Sequence, residues 1–96
     1  MRLINQKGTK DCPYKTSYLR IKYEEYCREG EYPKFHKVFS IYANDSNMGE
    51  YSTKEKAIKV MEMLQNQYKQ FMESAFMNVV SEKTYFKFPT DEEVKE

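Results

Sequence analysis

Tryptophan is absent, and glycine and proline occur three times each in 96 residues. So little backbone freedom argues against a disordered or low-complexity chain. Isolated Gly8, Gly30 and Gly49 form no GxGxxG or Walker pattern, which excludes a glycine-rich phosphate loop and counts against an ATPase or a dinucleotide oxidoreductase. No run of 18 apolar residues exists, so no segment reads as a membrane span. The opening Met1-Arg2-Leu3-Ile4-Asn5-Gln6-Lys7-Gly8 lacks the apolar stretch of a secretory signal, and the expectation is a cytoplasmic protein. Cys12 and Cys27 are the only cysteines and His36 the only histidine, with no CxxC pair, so a structural zinc site is not expected. In a reducing compartment both cysteines stay thiols.

Charge of one sign is also lacking. Sixteen Lys and Arg face fifteen Asp and Glu, a net of +1, which excludes a strongly basic nucleic-acid clamp and an acidic DNA mimic. What the chain does have is aromatic bulk: nine Tyr and six Phe, enough for one modest core in a single domain spanning residues 1–96.

Met1–Asn5 reads as a short strand, and Gln6–Pro13 as a turn or loop. From Tyr18 to Tyr26 the pattern alternates, with Leu19, Ile21 and Tyr23 on one face and Tyr18, Arg20 and Lys22 on the other. A charged turn, Arg28–Pro33, leads into a second strand, Lys34–Ala43, where Phe35, Lys37, Phe39 and Ile41 share one face and His36, Val38, Ser40 and Tyr42 the other. Apolar groups on both faces predict a central strand. Asn44–Asn47 is a turn by composition, and Met48–Tyr51 a short returning strand. Ser52-Thr53-Lys54-Glu55 then forms a capping box, with Ser52 predicted as the N-cap. Ala57, Val60, Met61, Leu64, Tyr68, Phe71, Met72 and Ala75 follow at helical spacing, and the helix end falls between Phe71 and Phe76. Lys83–Phe88 is a last strand, and residues 90–96 a frayed acidic tail. The expected fold is α+β: an antiparallel meander of four to five short strands packed on one long amphipathic helix.

A helix from Thr53 to Ala75 is about 35 Å long, and strands of six to eight residues span about 20–27 Å. The overhang falls on Phe71, Met72, Ala75 and Phe76. Either residues 78–83 fold back over them or a second copy covers them; a homodimer or higher oligomer is the favoured expectation.

Residues 1–23 hold six bases and one acid, a local charge of +5. Arg20 and Lys22 beside Tyr18 suit a phosphate with a base stacked on the ring; a solvated strand face whose lysines discourage edge pairing is the competing reading. His36 is a hydrogen-bonding or general-base candidate, or simply a surface or packed residue. The surplus of tyrosines fits base stacking, protein interfaces or half-buried strand positions equally. Tyr18, Arg20, Lys22 and His36 are the candidate ligand-binding residues. No nucleophile–base or carboxylate constellation appears at motif spacing, so no catalytic residue, metal site or cofactor is assigned, and the chain is not expected to be an enzyme.

The stretch Met48-Gly49-Glu50-Tyr51-Ser52-Thr53-Lys54-Glu55-Lys56-Ala57, continuing through Lys59-Val60-Met61-Glu62-Met63-Leu64, resembles a motif in small, uncharacterised accessory proteins of bacteriophages and prophages of Gram-positive bacteria. Met1–Gln6, the Pro13-Tyr14 step and the ending Phe86-Lys87-Phe88-Pro89-Thr90-Asp91-Glu92-Glu93-Val94 are similar too. The resemblance implies an accessory gene of a mobile element acting in the host bacterial cytoplasm. Such proteins often counter host immunity, by sequestering a small nucleotide-type signal or by blocking a host defence enzyme or nuclease complex. Neither a membrane nor a specific nucleic acid is an expected partner.

Overall fold

The structure, a computed structural model, describes residues 1–27, 29–30, 32–76 and 85–95. Within them the chain is α+β, with six strands and one helix: β1 (Arg2–Ile4), β2 (Asp11–Pro13), β3 (Leu19–Tyr26), β4 (His36–Ala43), β5 (Ser46–Tyr51), α1 (Lys54–Phe76) and β6 (Tyr85–Lys87). The strands form two three-stranded sheets, ordered β2-β1-β6 and β3-β4-β5.

This corrects the single meander of four to five strands. Only β3, β4 and β5 form a meander, with β4 central as its two-faced pattern requires. β1 pairs antiparallel with β2 and parallel with β6. Three-residue strands carry no readable alternation, and the parallel pairing joins opposite ends of the chain, so neither leaves a local signature. Pro13 is tolerated because β2 is an edge strand.

The core gathers Leu3, Phe86 and Phe88 from the first sheet, Ile41, Ala43, Met48 and Tyr51 from the second, Ala57, Val60 and Leu64 from the helix, and Val94. Met48 is the extra residue of a β-bulge, because Ile41 pairs with Gly49 while Tyr42 pairs with Asn47, and the bulge turns its side chain inward.

The helix N-cap is Thr53 rather than Ser52. Lys56 N donates to Thr53 Oγ1 at 3.1 Å. Ser52 is engaged elsewhere: its amide and hydroxyl donate to Asp91 Oδ1 at 2.8 and 3.0 Å. Lys56 Nζ also reaches Asp91 Oδ2 at 3.4 Å. The stretch from Thr90 is therefore docked, which corrects the expected frayed tail; Val94 is 3% exposed and Thr90 N donates to Glu93 Oε1. Local acidity concealed one carboxylate that has a cationic partner and one valine that has a core to enter.

Along the helix, Ala57, Val60 and Leu64 are buried, Tyr68 packs on Tyr14 with ring centroids 4.4 Å apart, and Phe71 is half-buried against Tyr68. Met72 is 49% exposed. Of the expected overhang, the side chains of Ala75 and Phe76, like the fold-back segment 78–83, lie outside the described residues, as do Lys83 and Thr84 of the last predicted strand. Among the described side chains the overhang is thus Met72 with one edge of Phe71, too little to demand a partner by itself. No described helix is long and apolar enough to cross a membrane.

Candidate functional site

In an antiparallel ladder, residues directly opposite share a face. The β3–β4–β5 register therefore stacks two rows across the side that carries the strands' polar residues: Arg20–Tyr42–Asn47 and Lys22–Ser40–Glu50. Leu19 and Ile21 point the other way and pack on the core. The guanidinium carbon of Arg20 lies 4.8 Å from the Tyr42 ring centroid, and Lys22 Nζ lies 6.0 Å from it. Both are cation–π distances. The Tyr42 hydroxyl donates to Glu24 Oε1 at 2.7 Å. That bond to a carboxylate, with slight burial, raises the phenol above its ordinary value, while Asn47 and Arg20 act in the opposite sense. Tyr42 is thus held neutral, its ring gripped by cations and its tip by an acid. Beside it Ser40 is fully buried, and among the described residues its Oγ has no hydrogen-bond partner.

Asn47 continues this face into a cavity of 330 Å³, between β5 and the loop after β1, whose polar lining includes Lys7, Thr9, Lys10, Asn47 and Glu50. The loop is built by one buried residue, Asn5. Its Oδ1 accepts from the amides of Thr9 and Lys10 at 2.8 and 3.1 Å, and its Nδ2 donates to Thr9 Oγ1. Gly8 takes the positive φ of 73° that closes the turn. Gln6 clamps the loop to the sheet: its amide donates to Met48 O, its Oε1 accepts from Glu50 N at 3.0 Å, and its Nε2 donates to Pro89 O at 2.9 Å. Gly49 makes room for this, since a Cβ there would lie 2.9 Å from the Tyr51 hydroxyl and 3.1 Å from Gln6 Cδ.

The basic N-terminal segment is now spatially resolved. Arg2 pairs with Asp11 at 2.9 Å. Lys7 and Lys10 line the cavity, and Arg20 and Lys22 flank Tyr42. Four cations border this surface against the carboxylates of Glu24 and Glu50.

Of the four sequence candidates, Arg20 and Lys22 lie on the Tyr42 face, and Tyr18 immediately precedes β3. Tyr18 is 71% exposed, and its amide donates to Asn44 Oδ1 at 3.0 Å. His36 does not join them. It stands at the far end of β4, stacked on Tyr26 at 5.4 Å. Six strand positions separate it from Tyr42, about 20 Å. The sequence reading missed Tyr42, Asn47, Lys7 and Lys10. Tyr42 was signalled by its alternation with His36 and Ser40; the cavity lysines had no signal beyond composition, because a long-range clamp through Gln6 positions them.

Neither cysteine is in a disulfide. Among the described residues no three His, Cys, Asp or Glu side chains gather as metal ligands. Comparison with protein-family models, with curated proteins and with solved structures finds no match to this chain.

Proposed function

We propose that this chain is a non-enzymatic accessory protein of phage origin that binds and sequesters a small nucleotide-type host immune signal as a homo-oligomer. The observation that carries the reading is the contiguous surface from Arg20 and Lys22, across Tyr42 and Asn47, into the cavity bordered by Lys7 and Lys10. Charge-assisted hydrogen bonds from guanidinium and ammonium groups suit phosphate oxygens. The exposed Tyr18 ring beside them offers a stacking plane for a base. Donors, rings and a neutral phenol make a binding surface; no nucleophile with an adjacent base is found along it among the described residues, so the ligand is held rather than turned over. Phage origin rests on the resemblance of the strand–cap–helix stretch and of both chain ends.

A thermal-shift panel of cyclic nucleotides and ADP-ribose derivatives tests this. A ligand at 100 times its dissociation constant adds about 2.7 kcal/mol of stability, and Arg20→Ala is expected to cut that gain to about half or less. Flat melting curves across the panel contradict the reading.

A second reading, a protein-binding inhibitor of a host defence enzyme or nuclease complex, is favoured by Tyr32 and Phe35, 82% and 56% exposed near the turn between β3 and β4. Tyr26, which precedes the same turn, is half-buried against His36. A single stoichiometric host protein co-purifying with the wild type, and lost on Tyr32→Ala with Phe35→Ala, supports this alternative.

A further inference from the structure

The sheet β3-β4-β5 has two edges, and they are treated differently. The β5 edge is covered by the loop after β1, through Gln6 N to Met48 O and Glu50 N to Gln6 Oε1. The β3 edge is not: among the described residues no backbone group pairs with its outer side. Exposed edges are normally blunted by proline, a bulge, shortness, charged side chains or a covering segment; of these β3 has only charges, and they are of both signs. β3 runs eight residues without proline or glycine, in unbroken register with β4.

The phase of that edge follows from its start. Asn44 N donates to Tyr18 O, in register with the ladder, so even-numbered residues direct their backbone groups at β4. The outward groups then belong to Leu19, Ile21, Tyr23 and Glu25. Side-chain charge along the strand is antisymmetric: Arg20 and Lys22 come first, Glu24 and Glu25 last. An antiparallel copy of such a strand meets it with charges reversed.

We infer that two copies of this chain associate through their β3 edges, antiparallel about a two-fold axis at Tyr23, into one continuous six-stranded sheet. Opposite residues must share a face, which leaves few registers. Centring on Lys22 sets Lys22 against its own copy, and centring on Glu24 does the same for two carboxylates. Centring on Ile21 sets Arg20 against Lys22. Centring on Tyr23 alone sets each Lys22 opposite the partner's Glu24 and leaves no like charges directly opposed. It also brings the two Tyr23 rings together; each is 47% exposed in the single chain and lies 5.1 Å from Phe39. Ile21 then faces the partner's Glu25, a carboxylate already held by the Tyr23 hydroxyl at 2.6 Å in each copy.

This interface deepens the self-association within the proposed function. It sets Arg20 and Lys22 of both copies along the subunit junction, with both polar faces on one side of the joined sheet. Lys22 is shared with the partner's Glu24, leaving Arg20, Lys7 and Lys10 to the ligand. Its measurement needs no ligand, so failure of the interface and failure of nucleotide binding are read separately.

Sedimentation of the full chain, with circular dichroism to confirm folding, is the experiment. Wild type is expected at twice the chain mass. Lys22→Glu and Glu24→Lys each oppose like charges across the junction and are each expected to sediment as monomers. Mixed together, the two variants have complementary edges and are expected to recover the dimer as a heterodimer. Tyr23→Pro removes an outward N–H without touching a β4 bond and is expected to be monomeric and folded. A wild-type monomer at all concentrations overturns the inference. So do charge variants that stay dimeric singly, or single monomers that do not recombine on mixing.

Discussion

Gly49 shows how one missing methyl organises the surface. Gln6 and the Tyr51 ring both press on its open side, and the buried Tyr51 hydroxyl donates to Pro89 O at 2.7 Å. Burial pushes that phenol well above its ordinary value, so it stays a donor throughout the working pH range. Gly49→Ala is expected to cost about 1–3 kcal/mol, as overpacking does, read as a lower midpoint in denaturant melts. Loss of cooperativity at the Gln6 clamp should accompany it, because β5, the cavity loop and the Pro89 turn meet there. At the proposed binding face, Arg20→Ala is expected to weaken any phosphate-bearing ligand at least tenfold, by removing a charged hydrogen-bond donor worth about 1.5–3 kcal/mol. His36→Ala should leave affinity unchanged, since that ring sits on Tyr26 at the other end of the strand. Calorimetric titration of both variants separates the two positions. Arg20 and Lys22 were legible from alternation alone. Tyr42 was legible only as a face, since its partners come from two other strands.

At the scale of elements, the helix start shows a local signal corrected by a distant residue. Ser52 fits the capping pattern, yet Asp91 takes its amide and hydroxyl, and Thr53 caps instead. Thr53→Ala is expected to cost about 1 kcal/mol, and Ser52→Ala to act mainly through Asp91. Burial pushes the Asp91 carboxyl up, but the Ser52 amide and hydroxyl and the Lys56 ammonium outweigh it and hold it below its ordinary value of 3.8. A carboxylate that is more acidic when folded adds stability above its unfolded pKa. That contribution is lost as pH falls through the folded value. Acid melts should therefore show a stability loss below about pH 4 that Asp91→Asn reduces, at a cost of about 1–2 kcal/mol near neutral pH. An unchanged acid limb in Asp91→Asn contradicts the latch. The helix itself was plain from its spacing. Its cap was not, because hydrogen-bond competition across 39 residues is invisible to a four-residue pattern.

At the scale of the molecule, the two ends of the chain meet. β1 pairs with β6, Phe88 N donates to Ile4 O, and Val94 enters the core. Ending the chain at Pro89 removes both Val94 and the Asp91 latch and is expected to destabilise by about 3 kcal/mol or more, measured by chemical denaturation. The α+β class and the meander followed from alternation and helical spacing. The second sheet did not, because its three-residue strands are too short to show alternation and its β1–β6 pairing joins positions more than eighty apart. The same folding gathers Lys7, Lys10, Arg20 and Lys22, four of the six bases of the first 23 residues, along one surface. Amide-resolved nuclear magnetic resonance of the full chain, titrated with ADP-ribose and with inorganic pyrophosphate, tests that surface most directly. Saturable shifts confined to Lys7–Lys10, Arg20–Lys22 and Tyr42–Asn47 are the result expected; no saturable shifts with either probe, or shifts centred elsewhere on the chain, would contradict a phosphate-binding face.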